Sequence, residues 1–162
     1  MKTIDQWLEE YGESHRHKTN KLIHWICVPT IMFTVLGFFI SIPRGDLFNW
    51  APAEAAFVAN WGGVLLLLAG LFYLRLSFAM FVGMTLIALA MLYGAHQLEK
   101  FTTLWQVCLA VFVVAWIFQF IGHKIEGKKP SFFRDVQFLL IGPAWLLSFI
   151  YRKIGVRYSR AA

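Results

Sequence analysis

Charge is scarce in this chain. Asp, Glu, Lys and Arg make up only 15% of its 162 residues, where a soluble domain carries about a quarter. Hydrophobic residues reach 59% and mean hydropathy is +0.60, so the composition argues against a water-soluble fold. Cysteine is scarce too. Cys27 and Cys108 both lie inside apolar blocks, with no CxxC pair. They exclude a disulfide framework and read as small buried hydrophobes. A Ser/His/Asp triad, a G-x-S-x-G elbow, a Walker loop and an HExxH helix are all absent. The opening MKTIDQWLEEYGESHRHKTN is polar and partly acidic, without the apolar core of a cleavable signal peptide. Membrane insertion is therefore expected to use the first apolar block.

What charge there is has a pattern. The formal net charge is +6. Lys and Arg cluster at residues 2–21, 124–134 and 152–160, and each cluster flanks an apolar block. That placement suits lipid headgroups and the positive-inside bias. No basic patch with interleaved aromatics stands apart from an apolar block, so nucleic acid is not an expected partner.

The apolar residues come in long blocks, which predict an all-α, multi-pass transmembrane bundle. Residues 3–18 read as a short amphipathic helix with Ile4, Trp7, Leu8 and Tyr11 on one face and His15 continuing the stripe. Such a helix is expected along the membrane surface. Block one, residues 22–42, has 21 residues and no charge, long enough for a hydrocarbon core of about 30 Å. Asn20 is a candidate N-cap or hydrogen-bond donor at its start, Pro29 a kink, and Pro43, Arg44 and Gly45 its end. Residues 55–93 carry a single charge over 39 residues, too long for one crossing and right for a helical hairpin turning at Arg75 and Ser77. Residues 94–103 read as a short polar loop, and block four covers residues 104–121. Block five, residues 136–151, carries Gly142-Pro143. By length it is a fifth span, a re-entrant hairpin or an interfacial helix.

If blocks one to four all cross, one side collects nine Lys and Arg, against one in each of loops 43–54 and 94–103. The basic side is expected to be cytoplasmic. The basic tail, residues 152–162, favours a fifth block that does not cross. The whole chain, residues 1–162, thus reads as one membrane domain: a surface segment 1–21, a bundle 22–151 and the tail.

Two clusters could carry chemistry. The first is Tyr11-x3-His15-x4-Asn20-x3-His24 and the second Gln119-x3-His123-x2-Glu126. The topology sets both at the cytoplasmic ends of crossings. His24 and Gln119 each lie one turn inside an apolar span, where a polar side chain is costly without a partner or a wet cavity. His123 and Glu126 share a helix face. His15 and His24 are nine positions apart and meet only if the chain bends near residues 18–21. Imidazoles with a carboxylate suit a first-row metal. The competing readings are interfacial anchors, an interhelical hydrogen bond from Gln119, and a solvated loop around Glu126, Lys128 and Lys129. They accompany a non-enzymatic alternative, a bundle that handles lipid or protons, or one with a structural role. His96 falls on the opposite membrane face, and His17 is expected to face solvent.

These stretches, SHRHKTNKLIHWICVP and WIFQFIGHKIEGKKPS, resemble the two hallmark stretches of the 2-hydroxy fatty acid dioxygenase family. The first motif falls on Tyr11, His15, Asn20, His24 and Pro29, and the second on Trp116, Gln119, Phe120, Gly122, His123, Glu126, Gly127 and Pro130. Ser131 stands where the family usually has Ala. The resemblance implies a membrane enzyme of fatty acid α-oxidation. Its cofactor would be Fe(II), and its substrates a long-chain 2-hydroxy fatty acid and O2, giving an aldehyde or acid one carbon shorter. It implies His15, His24 and His123 as metal ligands, with Glu126 a fourth ligand or a partner to one. Tyr11, Asn20, Gln119 and Lys124 become substrate-binding candidates, and Lys18, Lys21 and Lys128 could also attract the carboxylate. The acyl chain is expected in the lipid or between blocks one and four. The location implied is the cytoplasmic membrane of a bacterium or the endoplasmic reticulum of a eukaryote.

Overall fold

The structure, a computed structural model, describes residues 2–127 and 137–159. It contains α1 (Ile4–Gly12), α2 (Lys18–Ile40), α3 (Trp61–Leu76), α4 (Phe78–Leu98), α5 (Leu104–Glu126) and α6 (Gln137–Ile154). Two 3₁₀ turns, Asp46–Phe48 and Ala53–Ala55, lie between α2 and α3. No strand occurs among the described residues, in line with the all-α expectation. Lys128, Lys129, Pro130, Ser131 and the first residue of block five, Val136, lie outside the described residues.

α1 is shorter than its pattern predicted. Thr3 caps it through a reciprocal box: its hydroxyl accepts from the Gln6 amide at 3.3 Å, and the Gln6 side chain accepts from the Thr3 amide at 2.9 Å. The helix ends at Gly12 rather than residue 18. Its apolar stripe meets protein instead of the membrane surface, since Ile4, Leu8 and Tyr11 are buried against α6. Each such burial is worth about 1.5–3 kcal/mol, enough to hold a nine-residue helix that would not persist alone. The chain then turns over residues 13–17, earlier than the bend expected at 18–21. The α2 cap is His17, whose Nδ1 accepts from the Thr19 amide at 3.2 Å, and not Asn20.

α2 and α5 form the most extensive helix pair. A stripe of Asn20, His24, Cys27, Ile31 and Thr34 on α2 is buried, as are Cys108, Ala115, Gln119, Gly122 and His123 on α5. Two glycines permit the close approach. A Cβ at Gly37 would overlap Cys108 Sγ, and one at Gly122 would overlap Asn20 Oδ1. Because Gly37 meets Cys108 while Asn20 meets Gly122, the two helices run antiparallel. α5 continues past the predicted end at residue 121 to Glu126, where Gly127 takes the left-handed conformation (φ 73°) that stops it.

α3 and α4 make the expected hairpin. Ser77 serves both: its amide donates to the Tyr73 carbonyl at 2.8 Å, and its hydroxyl accepts from the Met80 amide at 3.3 Å. α3 starts at Trp61 rather than residue 55, capped by Asn60, and α4 runs to Leu98 rather than residue 93. Three helices, α2, α4 and α5, are long and apolar enough to cross a membrane, and α3 is a shorter apolar helix.

α6 is tied at both ends to the α3–α4 corner. Tyr73 Oη donates to the Leu140 carbonyl at 2.6 Å, and Tyr151 Oη donates to the Ala79 carbonyl at 2.7 Å. Tyr73 lies about one turn before the corner at Ser77 and Ala79 about half a turn after it. Leu140 and Tyr151 lie about 16 Å apart along α6. α6 therefore lies across that end of the bundle, with α1 packed on it.

Candidate metal centre

Three imidazoles meet beneath α1 and α6. His15 comes from the turn after α1, His24 from the second turn of α2, and His123 from the last turn of α5. Their potential ligand atoms lie within 4.8 Å of one another. Ring centroids are 4.1 Å apart for His15 and His24, 5.1 Å for His24 and His123, and 5.4 Å for His15 and His123. Exposure is 2%, 1% and 8% in chain order.

Hydrogen bonds orient two of the rings. His15 Nδ1 donates to the Tyr11 carbonyl at 2.6 Å, and His24 Nδ1 donates to the Asn20 carbonyl at 2.9 Å. A carbonyl only accepts, so the proton sits on Nδ1 and the Nε2 lone pair is left for another partner. His15 Nε2 and His123 Nδ1 are buried with no hydrogen-bond partner. Leaving such an atom unsatisfied costs about 1–3 kcal/mol. This separates the cluster from ordinary interfacial or core histidines, whose ring nitrogens are paired. Three buried imidazoles with ligand atoms converging within reach of one point fit a first-row transition ion. Burial keeps His15 neutral, pushing its pKa down to about 3, and the neighbouring His24 ring adds to the effect.

The surroundings are aromatic on one side and polar on the other. Tyr11 stacks on His15 with centroids 4.3 Å apart and planes 13° apart. Trp145 of α6 packs 5.4 Å from His15 and 5.5 Å from Tyr11. On the polar side, Glu126 accepts from the backbone amides of Arg16 at 2.8 Å and His17 at 2.9 Å, and from Asn20 Nδ2 at 3.1 Å. Asn20 Nδ2 also donates to the Ser14 carbonyl at 3.2 Å. Glu126 thus bolts the 13–17 turn to the end of α5 and stands outside the three-histidine group. Gln119 faces the His24 ring.

Other candidates lie further out. Lys124 is exposed, and so is His17, which caps α2. His96 sits at the far end of α4, with Nδ1 2.6 Å from Glu99 Oε1, and takes no part in the cluster.

A cavity of about 300 Å³ opens from the histidines into the bundle. Tyr11, His15, His24, Gln119 and His123 line its polar end. Beyond them its wall is largely apolar, from α2 (Val28, Ile31, Met32, Val35, Leu36), α3 (Leu65, Leu66, Ala69, Gly70) and α4 (Met84, Ala88). Of α5, the fourth block, Trp116, Gln119 and His123 line the cavity, and deeper in the bundle α2 and α5 close on each other where Gly37 meets Cys108. The sequence reading missed the α3 and α4 wall and Trp145. Cavity-facing and lipid-facing Leu or Ala carry the same hydropathy, so no signal in the sequence marks them.

The chain is similar to known proteins. A family model described as 2-hydroxy-palmitic acid dioxygenase Mpo1-like matches residues 1–154. The chain is also similar to the 2-hydroxy-palmitic acid dioxygenase MPO1 of Saccharomyces cerevisiae. The two are 28% identical over 149 residues, which is 90% of this chain and 78% of the yeast protein. No solved structure matches the chain.

Proposed function

The chain belongs to the Mpo1-like family, and from that premise we propose that it is an Fe(II)-dependent dioxygenase. It converts a long-chain 2-hydroxy fatty acid and O2 to the aldehyde or acid one carbon shorter. The observation that carries the reading is the convergence of His15, His24 and His123 at the mouth of an apolar cavity. The similar yeast protein is named for 2-hydroxy-palmitic acid, a molecule with a chelating polar head and a long alkyl tail. Such a molecule matches a cavity with the imidazoles and Gln119 at one end and, Thr85 apart, an apolar wall beyond them.

His15, His24 and His123 are the residues that would hold the ion. Bound ferrous iron supplies Lewis acidity and access to dioxygen, with positions beyond three protein ligands left open. The chain's own groups do the rest. Tyr11 and Asn20 accept from the Nδ1–H of His15 and His24 and so aim Nε2 at the site. Tyr11 and Trp145 cover His15 and exclude water. Gln119 lines the polar end, where a hydroxyl or carboxylate would lie. Lys18, Lys21 and Lys124, outside the cavity, attract the carboxylate from the lipid surface. With an acid product the equation closes with carbon dioxide and water. With an aldehyde it closes with carbon dioxide and hydrogen peroxide, so peroxide yield distinguishes the two.

The same reading sets the chain in the membrane as one domain, with α2 to α5 crossing, α6 lying in the cytoplasmic interface and α1 covering it. Three spanning-length helices support it, as do the two ends of α6 tied to one corner. The nine Lys and Arg on the histidine side support it too.

Oxygen uptake by the purified protein with a long-chain 2-hydroxy acid, with and without ferrous iron, tests the function. Iron-dependent uptake is expected, with the one-carbon-shorter product formed in proportion. No uptake under either condition would overturn it.

A further inference from the structure

We propose that the substrate's alkyl chain runs down the interior cavity and that its floor, formed by Leu36, Leu65 and Ala88, sets the chain length accepted. This rests on the reading above, in which the polar head of the acid sits at the imidazoles.

The cavity's form points to this occupant. On α2 its lining residues His24, Val28, Ile31, Val35 and Leu36 follow helical spacing along one face. From His24 to Leu36 is twelve residues, or about 18 Å. An extended alkyl chain advances about 1.3 Å per carbon, from bonds of about 1.5 Å at tetrahedral angles. The cavity therefore holds about fourteen carbons beyond the one bearing the hydroxyl. Below that depth it is closed: Leu36 and Ala88 belong to one packed cluster with Ile40 and Leu92. The space above exists because the α3 wall carries small residues, Ala69 and Gly70. The competing route between α2 and α5 is shut along its length: Gly122 meets Asn20 at the histidine end, Cys27, Ile31 and Ala115 pack together midway, and Gly37 meets Cys108 at the far end.

The test uses two floor variants of opposite effect and a labelling arm that needs no turnover. An unbranched series of 2-hydroxy acids from about ten to about twenty carbons brackets the estimated length. Ala88→Leu fills the floor, and the preferred substrate should shorten by about three carbons. Leu36→Ala opens it, and the preference should lengthen by about two to three carbons. Identical profiles for both variants and the wild type would overturn the proposal. In the second arm, a long-chain 2-hydroxy acid with a photoreactive diazirine at its far end is bound anaerobically with ferrous iron and irradiated. Label on Leu65 or Ala88, displaced by unlabelled acid, supports the floor. Label on the outward-facing Leu67 or Leu71 overturns it. If the wild type consumes no oxygen with any acid, the dioxygenase reading fails, and the labelling still decides the cavity.

Discussion

Glu126 accepts a hydrogen bond from the backbone amide of His17, 109 positions earlier in the chain, at 2.9 Å. A second amide, from Arg16, reaches the other carboxylate oxygen at 2.8 Å. These bonds hold the turn that delivers His15 to the other two histidines. In the proposed function Glu126 then acts on the ion through the backbone, as a positioning residue. Glu126→Gln should weaken ferrous binding by about tenfold or more while leaving one ion per chain at saturation. A carboxylate bound directly to iron would instead give an altered absorption spectrum of the iron site in the Gln variant. Metal titration followed by spectroscopy at saturating iron distinguishes the two.

The α2–α5 contact predicts a compensating pair. Gly37→Ala places a methyl group into Cys108 Sγ and should destabilise the fold by about 1–3 kcal/mol. Cys108→Ala removes the sulfur from that contact. The double variant should recover most of the lost thermal stability in detergent, measured as Tm. Equal Tm values for the single and double variants would contradict the close packing.

The buried, neutral His15 predicts a direction for pH. Its pKa is lowered to about 3 in the folded protein, from an ordinary value of 6.5. Between those values the unfolded chain holds a proton that the folded chain lacks, so stability rises with pH across the window. The metal-free protein should lose stability as pH falls from 6.5 toward 3. His15→Gln should flatten that slope, as followed by thermal unfolding at a series of pH values. A slope unchanged by the substitution would contradict a neutral, buried His15.

Much of this site was legible in the sequence because it is written in polar residues. In an apolar chain His24, Gln119 and His123 stand out, and their depth within the spans implied one membrane level. The α3–α4 hairpin was legible for the same reason, since Arg75 and Ser77 interrupt an apolar run. The length of α1 was not. Its pattern continues through His15, yet the helix stops at Gly12 because Glu126, remote in sequence, takes the amides of Arg16 and His17. The landing place of α1 was hidden too, because a stripe such as Ile4, Leu8 and Tyr11 suits lipid and α6 equally. The cavity wall was illegible throughout: Leu65 lines it and Leu67 faces outward, and nothing in their identity distinguishes them.

Anaerobic titration of ferrous iron into the purified protein tests the central claim most directly. The account predicts one ion per chain. Affinity should fall by more than about tenfold in each of His15→Ala, His24→Ala and His123→Ala, and should be unchanged in His17→Ala and His96→Ala. Binding that survives loss of all three clustered histidines, or that disappears with His96, would contradict it.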